Sequence, residues 1–205
     1  MKQVVLQGGK AEVIEVPAPA VPSGGVLVRV SASVISAGTE RANLQSTGES
    51  LLDKARRKPE LVTQVLRSVE KDGLRVTADR VLNRLHEPIA TGYSCAGFVE
   101  AVGARVSDLR LGQLVSCAGA RYANHAQLVA VPRNLCCPVP DGVSPGDAAS
   151  ATVGAIALQG VRQAHLELGH VVGVVGLGLI GLLEVQLARA AGATVIAVDP
   201  QPARR

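Results

Sequence analysis

Aromatic residues are nearly missing from this chain, which has two Tyr, one Phe and no Trp in 205 residues. Its core must therefore be aliphatic, and the stacked aromatic platforms that bind single-stranded nucleic acid are excluded. A large charge of one sign is also missing. The formal net charge is +4, and the basic run Lys54, Arg56, Arg57, Lys58 sits beside Asp53 and Glu60, as at a solvated helix end. No nucleic-acid partner is expected. Cysteine is sparse and unpatterned: Cys95, Cys117, Cys136 and Cys137 make no C-x-x-C, and the adjacent pair cannot bridge each other in ordinary disulfide geometry. That fits a reducing compartment. No apolar h-region of a signal peptide opens the chain. The most apolar stretch, residues 171–198, is interrupted by glycines and carries Glu184 and Arg189, a poor membrane span. The expectation is a cytoplasmic α/β or α+β protein without a membrane partner.

What is present begins with short apolar runs. Residues 2–7 and 11–16 flank Gly8-Gly9-Lys10 and read as a β-hairpin. Residues 26–30 form another strand, and residues 31–48 suit a loop or short helix lining a cleft. The period then changes. Leu61, Val62, Val65, Leu66 and Val69 make one helical stripe over 60–72, and Leu74, Ala78, Val81, Leu82 and Leu85 make a second. These two helices read as an insertion. Strand character returns at 94–102, 113–117 and 126–131. Four prolines between Pro132 and Pro145 read as a linker. Beyond them, 146–168 is Ala-rich and helical, 171–175 and 194–198 are strands, and 179–191 is a helix apolar on every side, expected to be buried between layers. Strand–helix–strand is a βαβ unit, where a parallel sheet begins.

The strongest motif is Gly176-Leu177-Gly178-Leu179-Ile180-Gly181. It follows an expected strand, opens an expected helix and precedes a second strand ending in Asp199, the context that a dinucleotide fingerprint requires. Gly176 permits a tight turn, Gly178 lets backbone approach a pyrophosphate, and Gly181 lets the helix pack on the strand. The helix start at Leu179 and Ile180 offers free N–H groups to phosphate. Asp199 is placed to accept from the adenosine ribose hydroxyls and to repel a 2′-phosphate, favouring NAD; Arg204 and Arg205 close behind keep NADP open.

With these residues placed, the sequence resembles the medium-chain dehydrogenase/reductase superfamily, the zinc-type alcohol dehydrogenases and their zinc-free relatives. Ser36-Ala37-Gly38-Thr39-Glu40 resembles the cleft-lining C-G-T-D segment. Pro88 to Gly97 resembles P-x-x-x-G-H-E-x-x-G, and Val99 to Gly103 and Leu111 to Val115 resemble V-x-x-V-G and G-D-R-V. The resemblance implies an α+β unit followed by an α/β unit. The first is a GroES-like β-barrel domain over 1–144 with a helical insertion at 50–86. The second, 145–205, is the first βαβ unit of an incomplete Rossmann domain, so the chain reads as part of a longer enzyme, inactive alone. A homo-oligomer or missing C-terminal domains are the partners that this reading leaves open.

Departures from the family pattern are informative. The Cys position holds Ala37, the His-Glu pair is Tyr93-Ser94, and the third ligand position falls near Thr152. A catalytic zinc needs three protein ligands, usually Cys or His, so neither zinc nor any other metal is expected. The remaining Cys and His, including His86 and His125, read as isolated core or loop residues. Hydroxyls at Ser36, Thr39, Tyr93 and Ser94 are then the groups left to stabilise a developing alkoxide. Thr39 matches the family's proton-relay hydroxyl, or caps a helix ahead of Glu40. Tyr93 is a donor at neutral pH, or a wall residue. His125 faces substrate, or lies on a surface loop.

A narrower resemblance is to bacterial bi-domain oxidoreductases, carried by the Ser36–Glu40 loop, the helical insertion, Leu85 to Gly97 and Tyr122 to Ala126. It implies an alcohol or sugar-like small-molecule substrate. The expected function is zinc-independent NAD(P)-dependent hydride transfer. Quinone or enone reduction with NADPH, and a non-catalytic nucleotide-binding module, are the alternatives.

Overall fold

A computed structural model describes residues 1–48, 67, 70–77 and 87–205 of the chain. Most of the two expected inserted helices, 60–72 and 74–85, lies outside the described residues; 70–72 and 74–77 are helical. The hairpin is as expected. β1 (Lys2–Gln7) pairs with β2 (Lys10–Glu15) across Gly8 and Gly9, whose φ of +55° and +77° glycine adopts freely. β4 (Ile89–Ala90) adds to the other edge of β1.

The first body is a five-stranded antiparallel sheet. Its members are β3 (Gly25–Ser33), β5 (Ser94–Val102), β6 (Leu114–Ala118), β7 (Leu128–Pro132) and β8 (Cys136–Pro138), in the order β7-β3-β5-β6-β8. Alternate residues of each strand point inward. Val26, Val28, Val99, Val115, Val129 and Val131 are consequently buried together, an aliphatic core as the composition requires. The opposite face is lined with small residues. Ala96 packs against Ala148 and Ala149 there, a close approach that a larger side chain would block.

Two expectations need correction. The segment 132–145 is not only a linker, because it contains β8 and a 3-10 turn at Arg133–Leu135. Its prolines fit because Pro132 and Pro138 end β7 and β8, the two edge strands, where a missing N–H is tolerated. The expected single helix over 146–168 is two, α2 (Pro145–Ala148) and α3 (Ala151–Gln163). Ser116 Oγ donates to the Ala148 carbonyl at 2.7 Å and Ser94 Oγ to the Ala149 carbonyl at 2.5 Å, drawing away acceptors at the break. Pro145 at the start of α2 and the Ser144 side chain, which accepts from the Asp147 N–H, cap its beginning.

Beyond α3, β9 (Val171–Val175) and β10 (Thr194–Val198) pair in parallel, joined by α4 (Leu179–Ala190). The βαβ unit is as expected. α4 is buried on one side only in these residues, as expected where the layers around it are incomplete: Gly181 and Ala188 are buried, and Leu182 is 47% exposed. α4 packs on α3, β9 and β10, and a two-stranded sheet covers one side of a helix only. Among the described residues, no helix is long and apolar enough to cross a membrane.

Candidate active site

β9 ends at Val175 and the chain turns at Gly176 with φ +97°. The Gly176 N–H donates to the Val198 carbonyl at 2.7 Å, tying the turn to the neighbouring parallel strand. A Cβ on Gly181 would run into the Gly176 carbonyl oxygen, so the helix can lie this close to the turn only with glycine there. Gly178 differs. Its φ of −78° and ψ of −168° suit any residue, and a methyl group there would meet nothing within 4 Å. Neither packing nor conformation within the described residues calls for glycine at that point, and the space it leaves lies at the start of α4. The amides of Leu179, Ile180 and Gly181 are in the first turn, without a carbonyl one turn earlier to bond, at the positive end of the helix dipole.

Asp199 is buried at the end of β10, 4% exposed. Its Oδ1 accepts from the Gln201 N–H at 2.7 Å and its Oδ2 from the Leu177 N–H at 2.8 Å. Those two donors, helped by Arg204 and Arg205, hold its carboxyl below the usual carboxylate range against the opposing effect of burial. Arg204 Nη1 lies 3.8 Å from Oδ2. Asp199 is thus a brace of the glycine turn as well as a carboxylate beside it, and each oxygen keeps a further acceptor site.

The hydroxyl group of candidates sits at the start of α1 (Ala37–Gly48). Ser36 Oγ donates to Thr39 Oγ1 at 3.3 Å, and the Ser36 N–H donates to Glu40 Oε1 at 3.2 Å. Ser36 is buried and Thr39 exposed. Ser94, expected among the cleft hydroxyls, is 1% exposed and committed to the Ala149 carbonyl; it holds α2 to the sheet. Tyr93, half-buried, directly precedes β5, and its carbonyl accepts from the Gly119 N–H at 2.9 Å.

His125 overturns its reading as an isolated loop residue. Its ring bonds on both sides, Nδ1 to Ser33 Oγ at 2.8 Å and Nε2 to Glu40 Oε1 at 3.0 Å. Ser33 and Glu40 are the residues that sequence reasoning passed over. They lie 92 and 85 positions away from His125, and no local pattern marks such a pairing.

The residues at the expected metal position do not fit zinc. Ala37 has no donor atom, Tyr93 brings a phenol where the pattern has an imidazole, the adjacent Ser94 Oγ is already committed, and Thr152 Oγ1 donates to the Cys117 carbonyl at 3.4 Å. Among the described residues, no three His, Cys, Asp or Glu side chains converge in a way that could hold a metal ion. The cysteines are not isolated from one another. Cys95, Cys117 and Cys136 lie in register across β5, β6 and β8, with the Cys117 and Cys136 Sγ atoms 3.9 Å apart. The Cys136 contact favours Cys117 thiolate, but neighbouring Cys95 and burial outweigh it, so Cys117 ionises above the ordinary thiol range. Cys136 is raised likewise, by Cys117 and by burial. All four are free thiols, and the three buried ones are inert core residues.

No protein-family model matches the chain. Individual proteins do. D-guloside 3-dehydrogenase of Shigella flexneri is 36% identical over 110 residues, covering 53% of this chain and 31% of that protein. Sorbitol dehydrogenase of Bacillus subtilis is 26% identical over 148 residues, covering 58% of this chain and 42% of that protein. The match thus spans a third to two fifths of the length of these relatives. Among solved structures, a quinone oxidoreductase from Thermus thermophilus, studied alone and with NADPH, superposes with a TM-score of 0.65 at 25% identity, over 100% of this chain and 55% of that one. The two-domain fold of these proteins is the one into which the antiparallel sheet and the βαβ unit fit. The glycine turn, the Ser36–Glu40 and Pro88–Gly97 segments and these relatives agree in their likeness to the medium-chain dehydrogenase/reductase superfamily.

Proposed function

We propose that the natural protein carrying these residues is a nicotinamide-dependent oxidoreductase that moves a hydride between coenzyme and an alcohol or sugar-like substrate, without zinc. In this reading residues 1–144 are a GroES-like barrel unit and 145–205 open a Rossmann-type unit. The observation that carries the reading is the space kept open at Gly178, at the start of α4 and beside a turn braced by Asp199. The amides of Leu179, Ile180 and Gly181 would receive the pyrophosphate. The remaining acceptor sites of Asp199 would receive the ribose hydroxyls, and its charge would disfavour a 2′-phosphate.

The nicotinamide, when bound, supplies the hydride chemistry. This chain's part is the oxygen end of the substrate. Because Ser36 Oγ donates to Thr39 Oγ1, the Thr39 proton is left to be donated outward, toward a developing alkoxide. Tyr93 is the second donor. The guloside and sorbitol dehydrogenases among the relatives support an alcohol or sugar-like substrate. Quinone reduction with NADPH is the competing reading, favoured by the Thermus protein and by Arg204 beside Asp199.

Fluorescence titration with NADH tests the cradle. The wild type binds, and Gly178→Ala fills the open space and weakens binding about 10-fold or more, equal to about 1.4 kcal/mol, while the fold is kept. Equal affinity in the two proteins, or no binding by the wild type at millimolar NADH, would remove the reading. Tighter binding of NADPH than NADH would move it to the quinone reductase.

A further inference from the structure

We infer that His125 is a positioning residue for the Ser36–Thr39 hydroxyl pair, acting through Glu40, and that it fixes this pair to the turn carrying Tyr93. The inference rests on the oxidoreductase reading above and deepens it. The hydroxyl candidates lie on two separate segments, 36–39 and 93. A hydride-transfer site must hold such donors within about half an ångström of their working places, so something has to join the two segments.

His125 joins them with its ring and its main chain. A single oxygen, Glu40 Oε1, accepts from the Ser36 N–H at 3.2 Å and lies 3.0 Å from His125 Nε2. Nδ1 is fixed in turn by Ser33 Oγ, at the end of β3, at 2.8 Å. The two side chains of the pair are 9% and 17% exposed, and bonds of a carboxylate shielded from water in this way are stronger than exposed ones. The His125 N–H donates to the Thr91 carbonyl at 2.9 Å, and its own carbonyl accepts from the Val4 N–H at 2.8 Å. The turn comes in close enough because residue 92 is glycine: a Cβ there would lie 2.7 Å from the His125 nitrogen and 3.1 Å from its ring Cδ2. Thr91 Oγ1 in the turn and Asn124 Oδ1 on the facing segment add no bond: both are buried without a hydrogen-bond partner. A carboxylate at the start of a helix is favourable without any histidine, so the helix dipole explains Glu40 but not its partner.

The test uses the natural full-length protein and compares wild type, His125→Leu, His125→Gln and Glu40→Gln. Leucine fills the ring's volume with no donor. Glutamine can return an N–H to Glu40 from nearly the place of Nε2. The measurements are kcat and KM for a polyol substrate with NAD, the NADH dissociation constant, and circular dichroism as a check on folding. In His125→Leu, kcat should fall roughly 10- to 100-fold, with NADH affinity unchanged, and most of kcat should return in His125→Gln. Glu40→Gln, which keeps shape but loses charge, should fall between them, and it serves as the deciding variant if His125→Leu does not fold. The inference is overturned if His125→Leu keeps wild-type kcat, if a folded His125→Gln is as impaired as the leucine variant, or if Glu40→Gln is unaffected. Those results leave the oxidoreductase reading standing. A wild-type protein that turns over neither polyols nor quinones ends that reading, and this inference with it.

Discussion

Val28 and Val175 are the same residue type in the same kind of backbone, yet one is fully buried and the other 84% exposed. Val28 sits inside the five-stranded sheet, among valines of neighbouring strands. Val175 ends a two-stranded parallel sheet just before the glycine turn. The first unit is held by a core, and its Ser36–Thr39 pair by long-range side-chain bonds carried on that core. The second holds its glycine turn locally, through the Gly176–Val198 and Leu177–Asp199 bonds. Damage to the first should therefore appear as lost stability, and damage to the second as lost binding.

The sharpest way to break this contrast is with glycine. A Cβ on Gly97 would lie 2.7 Å from the Arg29 carbonyl carbon and 2.8 Å from Val30 Cα, both backbone of the paired strand. Gly97→Ala should cost about 3 kcal/mol or more, read as a large drop in the denaturant midpoint, whereas Gly178→Ala should leave that midpoint in place. Next in size is the valine pair. In the 205-residue chain, Val28→Ala should cost about 2–3 kcal/mol from lost burial and the cavity left behind, against less than about 0.5 kcal/mol for Val175→Ser. Similar losses at both sites would show that the two units do not differ as described.

The smallest effect is the titration of Asp199. Its carboxyl is held low by N–H donors that prefer the charged form. The stabilisation it gives is therefore fully present above the ordinary Asp value of about 3.9 and is lost as pH falls through the lower folded-state value. The Leu177 and Gln201 amide resonances should titrate together below about pH 3.9, and Asp199→Asn should abolish that titration. A shared midpoint above that value would contradict the brace.

What could be read from the sequence was local. The Gly176–Gly181 turn, its flanking strands and the Lys2–Glu15 hairpin each carry their signal within a few neighbouring residues. β8 was hidden because Cys136-Cys137-Pro138 is short and ends in proline, which reads as a breaker until the strand is known to be an edge. The break between α2 and α3 was hidden because Ser94 and Ser116, which draw its carbonyls, lie 55 and 32 residues away. His125 shows the same limit. Its partners are set by how β3, α1 and the segment before β7 meet, and nothing around His125 in the chain specifies that meeting.

In the proposed enzyme, substrate oxygen is handled by hydroxyls at the positions where the zinc-type pattern that the sequence resembles would put metal ligands. The most direct test is the rate of NAD reduction on a polyol by the natural protein, before and after exhaustive chelation. An unchanged rate, from protein without stoichiometric zinc, is the expected outcome. A rate abolished by chelation and restored by added zinc would contradict it.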